Sequence, residues 1–463
     1  MQKVKQFWTY EYKPNGRKHK IDKALLSDFL EQKGYRKLSS FGDIKVVKLK
    51  NNIAYLKSSM EVYTDVLKYV KKQNDNELRS CFIEQGELLL ISKKAILGGL
   101  PDLELKKYLD SKDEVSLFFN NGIVKIKKKK ISIHSYLNFK KSNNFVFYSS
   151  IIPRDFDLSI TGESEFEEFL KFVTNTKQDF NSFLSTIGYL ISSYKNPSLS
   201  KAVIISDFFS QIRNDAYGRS GKGIIIKAIS KIIDVVEYNG KVTDLANDKF
   251  VFQNVTSSTR LVVLQDVTKE FQFESLFSTL TDSMSIERKY LTKINLPNSE
   301  SPKIVITTNF TIKENSDSFR DRKHLIMLNN FFNAENKPEK YFKNLLFDWN
   351  EKEYQRFDKF MSYSVQIFLN EGLIKFSDNS LKAANLVSQT STEFVKLVDD
   401  YLKSSKNKFK SKMILEKISI QGDTMSEKGK IISHWFQLYA QVKNYNLKKS
   451  ISGGITVFIL VKN

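Results

Sequence analysis

Cysteine is almost missing: Cys81 stands alone among 463 residues. An intrachain disulfide framework is therefore ruled out, and the chain belongs in a reducing compartment or in one where redox is irrelevant. Histidine is nearly as scarce. His19, His134, His324 and His434 lie far apart, and no Cys-x-x-Cys or His-x-x-x-His spacing occurs, which excludes a structural zinc site. No stretch approaches the roughly 18 consecutive apolar residues of a membrane span. The opening MQKVKQFWTYEYKPNGRKHK lacks the apolar run of a signal peptide. A soluble, cytoplasmic chain with no membrane partner is expected. Acidic residues are the minority charge, 52 against 73 Lys+Arg, for a formal +21. Such an excess suits a polyanion, nucleic acid or an anionic surface. Lysine codons of an AT-rich genome would produce the same count as solvated surface, so charge does not decide between the two.

Core material is plentiful, with 41% hydrophobic residues, 36 Phe and 20 Tyr, so disorder over most of the length is excluded and two to four folded units are expected. Residues 1–60 read as a small α+β region around one helix, IDKALLSDFLEQKGY, with Leu25, Leu26, Phe29 and Leu30 at helical spacing and Gly34 closing it. Residues 61–195 read as a mostly helical collar or oligomerisation domain. It is interrupted by VSLFFNNGIVKIKKKKISIH, where Asn121-Gly122 signals a hairpin. Lys127 to Lys130 suit phosphate contact or a charged sheet edge equally well. From 196 to about 375, strands and helices alternate as in a parallel α/β core. Residues 376–393 form a polar linker. Residues 394–463 combine helices with a hairpin turning at Gly453-Gly454, a winged-helix-like arrangement with Lys443, Lys448 and Lys449 near the wing.

Four segments carry chemistry. AYGRSGKG (216–223) lies between the strand KAVIISDF and the helix IIIKAISKII. That is the context in which backbone N–H groups and a helix N-terminus cradle a phosphate. Ala216, Gly218, Arg219, Ser220, Gly221, Lys222 and Gly223 are the candidate phosphate-binding residues, with Lys222 reaching the β- and γ-phosphates. Ala216 stands where the full pattern has Gly, and Gly223 where it has the hydroxyl that holds Mg²⁺; a turn containing Gly-Lys-Gly would look the same. RLVVLQDVTK (260–269) is an apolar strand ending in Asp266, suited to bind Mg²⁺, with Gln265 where a second carboxylate would polarise water. Core strands ending in Asp are common, however. SPKIVITTNF (301–310) ends in Asn309, able to orient a water, although a strand followed by an Asn turn is equally ordinary. SFRDRKH (318–324) presents Arg320 and Arg322, which could reach a neighbouring subunit's nucleotide; solvated surface arginines would look identical.

In order and spacing these segments resemble superfamily 3 helicases of the AAA+ class, more specifically the primase-helicase ATPases of phages, prophages and plasmids, over about 200–330. The resemblance implies AYGRSGKG as Walker A, VVLQDV as Walker B, Asn309 as sensor 1 and Arg322, with Arg320, as arginine finger. It further implies ATP and Mg²⁺, a homohexameric ring on single-stranded and forked DNA, and other replication proteins as partners. SMSIERKYLTK (283–293) falls where these helicases carry a pore hairpin, with Arg288, Lys289 and Tyr290 at its tip as DNA contacts. The N-terminal part more loosely resembles the helical domain of poxvirus-type primase-helicases. Primase activity is not supported, because the pair Asp155 and Asp157 follows His134 where it should precede a histidine motif. Rival readings are a DNA-binding initiator with a weakened nucleotide site, favoured by Gly223 and Gln265, and a remodelling or packaging ATPase.

Overall fold

The computed structural model describes residues 6–462 apart from 15, 39–44, 93–94, 208–219, 244, 246–247, 290, 311–316, 330, 343–346, 378–381, 384–385, 388 and 421. The chain opens with a hairpin of β1 (Trp8–Lys13) and β2 (Gly16–Ile21). Helix α1 (Lys23–Gln32) follows. Its N-cap Asp22 accepts from the Leu25 N–H, and it buries Leu26, Phe29 and Leu30. Strands β3 (Tyr35–Leu38), β4 (Lys45–Lys50) and β5 (Ile53–Lys57) form an antiparallel meander. Its β4–β5 turn places Asn51 and Asn52 at φ 53 and 64, the left-handed pair a two-residue hairpin requires. Helices α2 (Ser59–Lys71), α3 (Asn76–Glu87) and α4 (Ala95–Gly98) pack on this unit. A capping box between Ser58 and Glu61 starts α2.

The expected mostly helical character of 61–195 needs correction. Strands β6 (Lys106–Lys107), β7 (Glu114–Phe119), β8 (Gly122–Lys127), β9 (Lys130–His134), β10 (Asn144–Phe147) and β11 (Ile151–Ile152) fall inside it, with only the short α5 (Tyr136–Phe139) among them. They complete two sheets, ordered β3-β4-β5-β10-β6 and β11-β7-β8-β9. The reason is burial on both faces. The β7–β8 hairpin is the one that Asn121-Gly122 signalled, but in β10 three of four residues are buried, which hides the period-2 alternation that marks a strand. The β7–β8 turn also sits one residue early, with Phe119 pairing Gly122. Asn121 is held in the turn because its side chain donates to Phe156 O and accepts from Phe156 N–H. Helices α6 (Glu165–Val173) and α7 (Lys177–Ile191) end the region.

The next stretch is a doubly covered parallel sheet. Its strands are β12 (Ala202–Asp207), β13 (Val235–Asn239), β14 (Leu261–Val267), β17 (Lys303–Thr308) and β18 (Lys323–Leu328), in the order β13-β14-β17-β12-β18 and all parallel. Every residue of β12 and β17 is buried, as a sheet with both faces covered demands. Val203, Ile205, Leu261, Val263 and Val305 face α8 (Lys222–Ser230) together with α6, α7 and α11 (Glu351–Glu371). Ile204, Val262, Leu264, Ile304 and Ile306 face the other layer. That layer holds α9 (Phe277–Thr281) and the antiparallel hairpin of β15 (Met284–Arg288) and β16 (Leu291–Leu296). The six-residue α10 (Asp317–Arg322) leads into β18.

The C-terminal unit comprises α12 (Thr392–Lys403), β19 (Lys408–Lys410), α13 (Ser411–Lys417), α14 (Met425–Lys443), β20 (Tyr445–Ser452) and β21 (Ile455–Lys462). Its sheet is ordered β19-β21-β20. Gly453 and Gly454, at φ 57 and 77, make the hairpin turn. Leu386, in the polar stretch read as a linker, is buried in this unit's core. Among the described residues no helix is long and apolar enough to cross a membrane.

Candidate functional site

In a parallel sheet the carboxyl ends of all strands share one edge, where loops gather ligands. At this edge β12 ends in Asp207 and α8 begins at Lys222. Gly221 caps α8 at φ 104, and a Cβ there would lie 2.5 Å from the Phe169 ring, so only glycine fits the turn. The Lys222 side chain is buried, 8% exposed, and its ammonium is held on three sides. Nζ lies 2.5 Å from Asp207 Oδ2, 2.6 Å from Asn309 Oδ1 and 3.4 Å from Ser220 Oγ. Ser220 Oγ in turn donates to Asp207 Oδ1. Asn309 follows β17 directly, and β17 lies between β12 and β14. Alternation places Asp207, in step with Val203 and Ile205, on the α8 face; Asn309 keeps step with Val305.

Asp266 stands on the same edge. Thr308 pairs with both Ser206 and Val267, so with strands about 4.8 Å apart the ends bearing Asp207, Asn309 and Asp266 span on the order of 10 Å. One extra residue between Leu264 and Val267 makes a bulge. There Asp266 adopts φ 53 and lies exposed, its N–H donating to Thr307 Oγ1 at 2.9 Å. A bulge re-aims a side chain, and a non-glycine residue at positive φ persists only where its surroundings enforce it. Beside it, Gln265 Nε2 donates to Glu237 Oε2 on β13, and Gly240 N–H binds Gln265 O at 2.6 Å. Desolvation raises the Glu237 carboxyl above its ordinary range.

The other candidates are dispersed. Gly223 is exposed on the first turn of α8 with open space around it. Ala216, Gly218, Arg219 and Tyr290 lie outside the described residues. Arg320 and Arg322 sit on α10 at the amino end of β18, the edge opposite Lys222, so one chain does not bring them to its own phosphate loop. Arg320 pairs with Asp317 at 3.3 Å. Arg322 lies over the Phe277 ring and donates to Ser318 O, with its Nε buried and without a hydrogen-bond partner. In the β15–β16 hairpin, Arg288 donates to the carbonyls of Gln253 and Val255, which ties its guanidinium to the backbone. Lys289 is exposed at the tip.

Sequence reading missed Asp207 at this edge and Glu237, two residues short of the end of β13. Asp207 closes an apolar strand just as Asp266 does, and that shared pattern was its signal. Glu237 carries no local signal, because its partner Gln265 is 28 residues away.

No family model matches the sequence, and no curated protein matches it. Among solved structures, the apo C-terminal region of NrS-1 is similar at 12% identity and a TM-score of 0.40, covering 95% of this chain and 99% of that one. A second structure of the A form, titled for NrS-1 residues 305–718, stands at 14% identity and a TM-score of 0.40, with 94% and 98% covered. The JCV helicase, solved with a small molecule bound, stands at 14% identity and a TM-score of 0.23, with 53% and 67% covered.

Proposed function

We propose that the chain is an ATP-dependent replicative DNA helicase of superfamily 3 type, from a phage or mobile element, working as a homohexameric ring. The observation that carries this reading is the buried ammonium of Lys222 at the start of α8, bonded to Asn309 and Asp207, with Asp266 on the same sheet edge. A desolvated cation at a helix N-terminus suits a triphosphate. Asn309, with an amide at the mouth of the site, would orient the attacking water.

The donor set at this edge fits a magnesium ion bound mainly through water and phosphate oxygens. Asp266 supplies an exposed carboxylate, while Gly223 has no hydroxyl to add. Held there, the ion would neutralise charge developing on the phosphate oxygens. Arg322, with Arg320, would approach a neighbour's nucleotide from the opposite sheet edge, so hydrolysis would depend on assembly. The β15–β16 hairpin would grip single-stranded DNA through Lys289. The α12–β21 unit, three helices with β19 after the first and a closing hairpin that pairs with it, suits a winged helix on duplex DNA.

Lys222→Ala tests the reading. ATP hydrolysis, measured with and without single-stranded DNA and with particle mass recorded alongside, should fall to background while the fold is kept. Unchanged turnover would overturn the proposal. Gly223 and Gln265 favour a second reading, an initiator that binds nucleotide without hydrolysing it; hydrolysis stimulated by DNA in the wild type would exclude it.

A further inference from the structure

We propose that the chain holds a second ligand site, for a small phosphate monoester, in a cavity at the amino edge of the parallel sheet. The cavity measures about 270 Å³. One side is made by Lys231, Asp234, Ser258 and Arg260, at the end of α8 and just ahead of β13 and β14. Lys107 of β6, Tyr108 and Ser116 of β7 line it from the two sheets that precede the parallel one. Lys222 begins α8 and the cavity borders its other end, which a nine-residue helix sets roughly 13 Å away. The two sites therefore lie at opposite edges of one sheet, and this one stands whether or not the first binds ATP.

Charge is what marks the cavity. Lys107 Nζ donates to Ser257 O at 2.6 Å, and among the described residues no carboxylate lies within ion-pair distance of it. Burial, helped by the Arg260 charge, pushes this ammonium down to about 8, with Glu300 opposing them. Arg260 Nη2 donates to Ile191 O at 2.7 Å and to Asp110 Oδ2 at 3.3 Å, while its Nε and Nη1 donate to none of the described residues. Asp110 is already occupied, since its carboxylate also accepts from the Ser116 N–H, the Ser193 N–H and the Ser193 hydroxyl. Asp234 is held by the Ser258 hydroxyl at 2.9 Å. Near Arg260, Lys303 and Lys195 add further positive charge, bonded only to the carbonyls of Tyr189 and Ser192 and to the Ser301 hydroxyl. A cation withdrawn from water without an anion is costly, and an anion in the cavity removes that cost.

The free donors suit phosphate. Two protons of the Lys107 ammonium and those of Arg260 Nη1 remain for charge-assisted bonds to phosphate oxygens. Tyr108 and Ser116 share one hydrogen bond of 2.8 Å, which leaves one of their two hydroxyl protons for another oxygen. Phe118, Val146, Ile152 and Ile232 supply apolar wall, so the ligand carries a small apolar body beside its phosphate.

Calorimetric titration of the full-length chain with inorganic phosphate and with phenyl phosphate tests the site. Both should bind the wild type, phenyl phosphate about tenfold tighter, and both should bind Lys222→Ala equally well. Lys107→Gln keeps a donor for Ser257 O without the charge and should weaken both by about tenfold or more. Ser150→Phe, at a half-buried lining position, leaves every cation in place and should exclude phenyl phosphate, which tests the cavity even if Lys107→Gln does not fold. Wild-type affinity for phenyl phosphate in either of these variants would overturn the proposal. So would equal affinities for the two probes, binding that disappears in Lys222→Ala, or a wild type that binds neither.

Discussion

Single side chains in this protein are placed by competition between burial and charge. His324 on β18 is buried, and desolvation, helped by the nearby Lys201 charge, pushes its pKa down to about 4. Thr186 Oγ1 gives its one proton to Ser182 O and accepts from His324 Nε2 at 2.8 Å, so the neutral ring carries its proton on Nε2. The sign of the linkage follows. A histidine with a depressed folded pKa contributes its full stability above the unfolded value near 6.5. That contribution is lost as pH falls toward 4, because only the unfolded chain takes the proton. Between pH 7 and pH 5 the folded state should lose about 2 kcal/mol from this one group. Urea unfolding of the wild type and of His324→Gln would show it: the variant should have the shallower pH dependence, and equal slopes would refute the assignment. Legibility in sequence also divides at this scale. Lys222 and Asn309 were readable because a loop between a strand and a helix, and a strand end, are local patterns. Asp207 and Glu237 matter through partners 15 and 28 residues away, which no local window contains.

At the scale of elements, the β-branched runs of the parallel sheet were legible because their composition and bounding loops repeat. Ahead of residue 160 the short strands around α1 and the β7–β8 hairpin were legible too, whereas β6, β10 and β11 were not. β6 and β11 are two residues each, and in β10 three of four residues are buried, where an apolar run without alternation reads as helix or strand alike. The β15–β16 hairpin was foreseen from its place between two core strands, yet its tip divides differently from expectation. Arg288 serves the backbone of residues 253 and 255, which leaves Lys289 as the exposed base. Lys289→Ala is therefore expected to lower strand separation on a forked duplex by roughly tenfold or more, about 1.4 kcal/mol of barrier, with ATP binding retained. Arg288→Ala should instead lower thermal stability, since two carbonyls lose their donor. Undiminished unwinding by the Lys289 variant would remove the hairpin from the DNA path.

For the molecule as a whole, a formal +21 was consistent with a nucleic-acid partner and with mere codon usage. Salt separates the two. If the charge is used, affinity for single-stranded DNA should fall linearly on a log–log plot against salt, each phosphate neutralised adding about 0.7 to the slope. Fluorescence anisotropy between low and physiological salt would measure it, and a flat line would assign the excess to solvated surface. The five hydrophobic clusters among the described residues were anticipated only as a number of folded units; their make-up depends on pairings across long separations.

The carboxylate at 207 leaves a mark on any ligand that comes to Lys222. Because the lysine charge is already satisfied and out of water, a phosphate arriving at the proposed ATP site would trade places with a resident anion and recruit no bare cation. The proposed site would thus behave as an ion exchanger. Weak anions would fail to dislodge the resident group, and such a pocket would discriminate by charge density before any base or sugar is recognised.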